Sequence, residues 1–97
     1  MKVQVLYFDG CPNHGPTVQL VREVIADLNV HAELEEVEVK ATSDARELRF
    51  LGSPTVHVDG RDIDPEANPG DFSHGCRMYG SSGIPPRDMV VSAIKAT

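Results

Sequence analysis

This chain of 97 residues has no tryptophan, only two tyrosines and three phenylalanines, and only two cysteines. Positive charge is also scarce, with nine Lys and Arg against 15 Asp and Glu and a net charge of −6. The basic residues Arg22, Lys40, Arg46, Arg49, Arg61, Arg77 and Arg87 are scattered along the sequence. A nucleic-acid partner is therefore not expected, because it calls for a concentrated basic face and, on single strands, an aromatic stacking platform. No apolar run approaches the roughly 20 residues that span a bilayer, so no membrane partner is expected either. Two cysteines cannot build a disulfide framework; they are inert packing or the chemistry itself. The start of the chain carries Lys2 but no signal-like apolar region or cleavage site. A cytoplasmic location is the expectation, and thiols stay mostly reduced there. Without repeats, low-complexity tracts or a linker, residues 1–97 read as one domain with a modest core.

The stretch that organises what is there is KVQVLYFDGCPNH, Lys2 to His14. Val3, Val5, Leu6, Tyr7 and Phe8 supply one buried strand, which stops at Asp9-Gly10. Val18, Val21, Ile25 and Leu28 then recur at helical spacing, predicting a helix from about Pro12 to Asn29. Proline favours the first helical position, which makes Cys11 the expected N-cap. A sulfur there lies near free backbone N–H groups and the positive end of the helix dipole, a setting that favours a thiolate. His14, three residues on, falls on the same helix face.

Ala32 to Val39 reads as a second strand whose alternation changes phase after Leu34, suggesting a bulge or an edge position. A short helix capped by Ser43 or Asp44 follows, with Ala45 and Leu48 inward and Gly52 as its stop. Ser53-Pro54-Thr55 opens a third strand, Asp59-Gly60 is a two-residue hairpin turn, and Arg61 to Ile63 returns as a fourth. Residues 64–85 form a long Pro-, Gly- and Ser-rich loop, a length that marks functional or mobile segments. Pro85-Pro86 leads into a last helix with Met89, Val90, Ala93 and Ile94 as its buried stripe. The expected fold is α/β, of order βαβαββα, a four-stranded mixed sheet with helices on both faces.

The strand-Cys-x-x-x-helix segment at Phe8–His14, the Gly52-Ser53-Pro54-Thr55 segment and the hairpin after it resemble the thioredoxin-like superfamily in its small, glutaredoxin-sized form. The resemblance implies a cis Pro54 packed against Cys11, and a substrate edge at Ser53, Pro54 and Thr55 where a substrate disulfide aligns as an added strand. It also implies protein or low-molecular-weight disulfides and thiols as substrates, and no cofactor. The chain departs from the usual Cys-x-x-Cys of that family, with His14 in the place of the second cysteine, so a local dithiol cycle is impossible. Its F-D-G-C-P-N, G-S-P-T-V-x-V-D-G and C-R-x-Y segments are similar to small bacterial thioredoxin-family proteins, some labelled as relatives of alkylmercury lyase.

Three side chains are the candidate catalytic residues: Cys11 as nucleophile, His14 as a base or cation beside it, and Cys76 as a resolving thiol. Arg77 would favour a thiolate at Cys76, and Asp9 would oppose one at Cys11. Each cysteine also has a reading as packing, and His14 one as a half-buried polar residue. An alternative set, Cys11, Cys76 and His14, suits a soft metal such as Cu, Zn or Hg. His74, two residues before Cys76, is a weaker metal hint. A third reading is a binding module without turnover. The glycines of residues 70–83 lack a following Lys-Ser/Thr, so no nucleotide is implied.

Overall fold

The computed structural model describes residues 1–67 and 75–96. The part of the long loop at 68–74, with His74, lies outside the described residues. The elements are β1 (Lys2–Tyr7), α1 (His14–Leu28), β2 (Glu33–Glu38), α2 (Thr42–Glu47), β3 (Thr55–Val58), β4 (Arg61–Asp62) and α3 (Arg87–Lys95). They build an α/β protein around a four-stranded mixed sheet of order β2-β1-β3-β4. β1 runs parallel to β2 and antiparallel to β3, and β3 pairs antiparallel with β4. Among the described residues no helix is long and apolar enough to cross a membrane.

Alternation along β1 divides the core in two. Val3 and Val5 face one side with Val56 and Val58 of β3, where they meet Val18, Val21 and Val24 of α1 and Val90 and Ile94 of α3. Leu6 faces the other side, with Val39, Ala45 of α2 and Phe50. Successive strand residues point to opposite faces, so this partition follows directly from the apolar run of β1. Each fully buried Val or Leu contributes about 1.5–3 kcal/mol of transfer free energy.

The phase change in β2 has a simple cause. β2 is an edge strand whose pairing with β1 is unbroken from Lys2↔Glu33 to Tyr7↔Glu38, so there is no bulge. Leu34 packs with the α1/α3 cluster and Val37 with the α2 cluster; three residues apart, they serve opposite faces. The short helix also departs from expectation. It runs Thr42–Glu47 with Ala41 as N-cap, and the turn of its exit is made by Arg49 at φ 55°, well before Gly52. Leu48 is therefore exposed and Phe50 takes the inward position. Asn29 ends α1 in the left-handed region, and Asp59 and Gly60 both take positive φ, as a tight antiparallel hairpin requires.

Candidate functional site

β1 hands the chain to a turn in which the Cys11 N–H donates to Phe8 O at 3.3 Å and Cys11 O accepts the His14 N–H at 3.3 Å. Cys11 is buried, with 9% of its surface exposed. It is not the N-cap: that residue is Asn13, and Pro12 precedes the cap. Pro16 fits this frame, because a proline is tolerated in the first helical turn, where its missing N–H leaves no bond unmade. The amides near Cys11 are thinned as a result. The His14 N–H is already given to Cys11 O, the Thr17 N–H to Asn13 O at 3.2 Å, and Pro16 has none. The dipole effect decays within the first turn, so it acts on Cys11 more weakly than on a capping residue.

His14 turns toward the neighbouring strand. Its ring stacks on Tyr7, with centroids 3.5 Å apart and planes within 6°, and its Nε2 meets Glu36 Oε1 at 2.7 Å. Partial burial, then the carboxylates of Glu38, Glu36 and Asp9, push the Tyr7 phenol up from its ordinary pKa. The imidazole thus has a carboxylate and a ring as its partners. Among the described residues, no group of three or more His, Cys, Asp or Glu side chains is placed to hold a metal ion.

On the β3 side, the Ser53–Pro54 peptide is cis. Ser53 is fully buried and its Oγ accepts the Phe8 N–H at 3.3 Å, tying the start of β3 to the turn that leads to Cys11. Thr55 is also buried, its hydroxyl donating to Gly52 O at 2.5 Å and accepting the Leu51 N–H at 3.2 Å. The backbone of Ser53 is engaged on both sides. Its N–H donates to Gly75 O at 2.7 Å, and its carbonyl accepts the Arg77 N–H at 2.9 Å. These two bonds form a parallel bridge between Ser53 and Cys76. The loop therefore returns to the sheet at the residue paired through its hydroxyl with Phe8.

What holds the loop there is Arg77. Its side chain is 7% exposed and its guanidinium makes two bonds to Asp62, Nη1 to Oδ2 at 2.6 Å and Nη2 to Oδ1 at 2.9 Å. It also donates to Thr55 Oγ1 at 3.3 Å, approaches Asp64 at 4.0 Å and lies 4.5 Å from the centre of the Tyr79 ring. Burial alone would lower its pKa, but the Asp62 hydrogen bonds and nearby negative charge win, and the net direction is upward. Tyr79 donates its hydroxyl to Pro54 O at 2.6 Å, and burial raises its phenol far above the ordinary value. Arg77 was expected to act on the thiol beside it; the structure instead spends its charge on Asp62. Cys76 is exposed. A Cβ at Gly83 would collide with the Asn13 side chain, so the loop also touches the cap of α1.

The structure thus joins Ser53, Pro54, Thr55 and the Cys76 segment through hydrogen bonds, and joins the Cys11 turn to Ser53 through Phe8. It places His14 in a separate contact with Tyr7 and Glu36. Asp62 and Tyr79 carry weight that sequence reasoning missed. Burial alternates along Cys76-Arg77-Met78-Tyr79, with Arg77 and Tyr79 buried and the other two exposed, but the polar Arg77 is inside and the apolar Met78 outside, so hydropathy carries no signal of it. Elsewhere, a cavity of about 280 Å³ opens beside Arg49, Leu51, His57, Arg61 and Asp64, with neither cysteine in its lining. No protein-family model matches the chain, and no curated protein or solved structure matches it significantly.

Proposed function

We propose that this is a thioredoxin-like thiol–disulfide protein in which Cys11 is the nucleophile and Cys76 the resolving thiol. The observation that carries the reading is the shared contact at Ser53. Its hydroxyl takes the Phe8 N–H at the start of the Cys11 turn, and its backbone takes the Cys76 segment. Cys76 is the bridge partner of Ser53, and its thiol is exposed and free. Strand order β2-β1-β3-β4, with α1 and α3 against one cluster and α2 against the other, supports the fold part of the reading. Two free cysteines suit a reducing compartment, so we place the protein in the cytoplasm.

In the reaction, the Cys11 thiolate attacks one sulfur of a substrate disulfide, forming a mixed disulfide and releasing one substrate thiolate. The Cys76 thiolate then attacks Cys11 Sγ, forming the Cys11–Cys76 disulfide and releasing the second substrate thiolate. The protein has lost two electrons and the substrate has gained them. The two protons from the cysteines end on the released thiols, and an external thiol reductant resets the protein. His14, held by Glu36 and stacked on Tyr7, closes the Cys11 turn through its N–H to Cys11 O.

The test is mild oxidation followed by mass spectrometry. Wild type should lose two hydrogens and both alkylatable thiols within one molecule. With a small disulfide added as substrate, Cys76→Ser should accumulate its mixed disulfide at Cys11, and Cys11→Ser should form no intramolecular disulfide. If the two single variants turn over a disulfide as wild type does, the assignment is wrong.

A further inference from the structure

A backbone that recruits a peptide by strand addition must offer an unpaired N–H and C=O at an edge. At Ser53, the backbone beside the Cys11 turn, both groups are taken by the protein's own Gly75 and Arg77. The fit is close. A Cβ at Gly52 would lie 2.9 Å from Arg77 Cβ and 3.1 Å from Gly75 O, and Gly52 has φ 115°. The strap is fastened at two further points, by Arg77 to Asp62 and by the Tyr79 hydroxyl to Pro54 O. Its anchoring side chains are 7% and 6% exposed, so this is packed structure and not a loop resting on the surface.

We infer that the Gly75–Tyr79 strap is a built-in occupant of the Ser53 edge, which makes Cys11 selective for low-molecular-weight disulfides over disulfides carried in extended peptides. The inference rests on the proposed reaction of Cys11. A small disulfide needs only the sulfur, whereas a peptide docking as a strand must first displace the strap. The strap competes as an intramolecular ligand at an effective concentration in the millimolar range. A peptide at about 0.1 mM with similar intrinsic affinity therefore holds the edge less than about a tenth of the time.

The experiment isolates the first chemical step. In a Cys76→Ser background, only Cys11 can react, so thiol release reports formation of the mixed disulfide. Bis(2-hydroxyethyl) disulfide is compared with a disulfide-linked dimer of a short extended peptide. The small disulfide should react at least about tenfold faster. Adding Arg77→Met should raise the peptide rate severalfold and leave the small-disulfide rate within about twofold. Tyr79→Phe should do the same more weakly and with less risk to folding. Hydrogen exchange gives an independent readout, since the Arg77 amide should be protected in the parent and exchange faster in both strap variants, with β1 amides unchanged. Equal rates for the two disulfides, with the Arg77 amide protected, overturn the selectivity alone. Peptide rates that stay low when the amide is unprotected overturn it as well. A Cys11 that takes neither disulfide overturns the reaction itself and the selectivity with it.

Discussion

Removing Asp62 is the sharpest way to ask what fastens the strap. Asp62→Ala deletes two charge-assisted bonds to Arg77, of 2.6 and 2.9 Å, between side chains 7% and 15% exposed. Such bonds contribute about 1.5–3 kcal/mol each, and leaving one charge of a buried pair without its partner costs about 3–5 kcal/mol. Arg77 keeps Thr55 Oγ1, the Tyr79 ring and a distant Asp64, which soften the loss. The expected loss is about 3 kcal/mol, a large share of the 5–15 kcal/mol typical of a domain. In a chain of this size it lowers the melting midpoint by roughly 12–24 °C. Urea unfolding followed by far-UV circular dichroism measures it directly, with the m-value unchanged. The double variant Asp62→Leu/Arg77→Met should recover to within about 2 kcal/mol of wild type, because an apolar pair needs no partner and only the Asp64 N–H, which Asp62 Oδ1 accepts at 2.9 Å, loses its own. A loss below about 0.5 kcal/mol for Asp62→Ala, or a double variant no better than the single one, would refute the reasoning.

Burial, helped by the charges of Arg49 and Arg77, lowers the pKa of His57 against the opposing pull of Asp62. The unfolded chain then binds the proton more tightly, so the stability His57 contributes is complete above about pH 6.5 and is lost as pH falls below it. Urea midpoints between pH 7.5 and 5 should fall less steeply in His57→Gln, the difference staying within about 1.4 kcal/mol per pH unit; parallel slopes would contradict this. Thr17, buried on α1, has a hydroxyl with no hydrogen-bond partner among the described residues. Thr17→Val should stabilise by about 1 kcal/mol in the same assay, since it removes an unsatisfied polar atom at constant shape. Gly52→Ala should destabilise by at least about 1 kcal/mol and expose the Arg77 amide to exchange, because the new Cβ meets the strap at a φ of 115°.

Much of the sheet was legible from local pattern. The apolar run of β1, the helical spacing of Val18 and Val21, the left-handed Asn29 and the Asp59-Gly60 turn are all short-range signals. Their chemistry acts within a few residues. The start of α1 was misjudged because Pro12 and Pro16 both qualify for a first helical turn, and only the turn at Phe8–Cys11 selects between them. The end of α2 was misjudged for a related reason: Arg49 adopts a left-handed φ that its type disfavours, while Phe50 gains a fully buried position two residues earlier than Gly52 would allow.

The amino-acid order on its own determined which residues could form strands and helices, and that only two thiols, at Cys11 and Cys76, were present to do chemistry. Folding decided where those sulfurs sit. Arg77 finds Asp62 fifteen residues away and Ser53 finds Gly75 and Arg77 across more than twenty, and no spacing rule encodes such meetings. They exist because a buried guanidinium must be paired and a buried serine backbone must be hydrogen-bonded. Both demands are met by the same loop at the same edge of the sheet. That need is set by burial, and burial is a property of the folded chain.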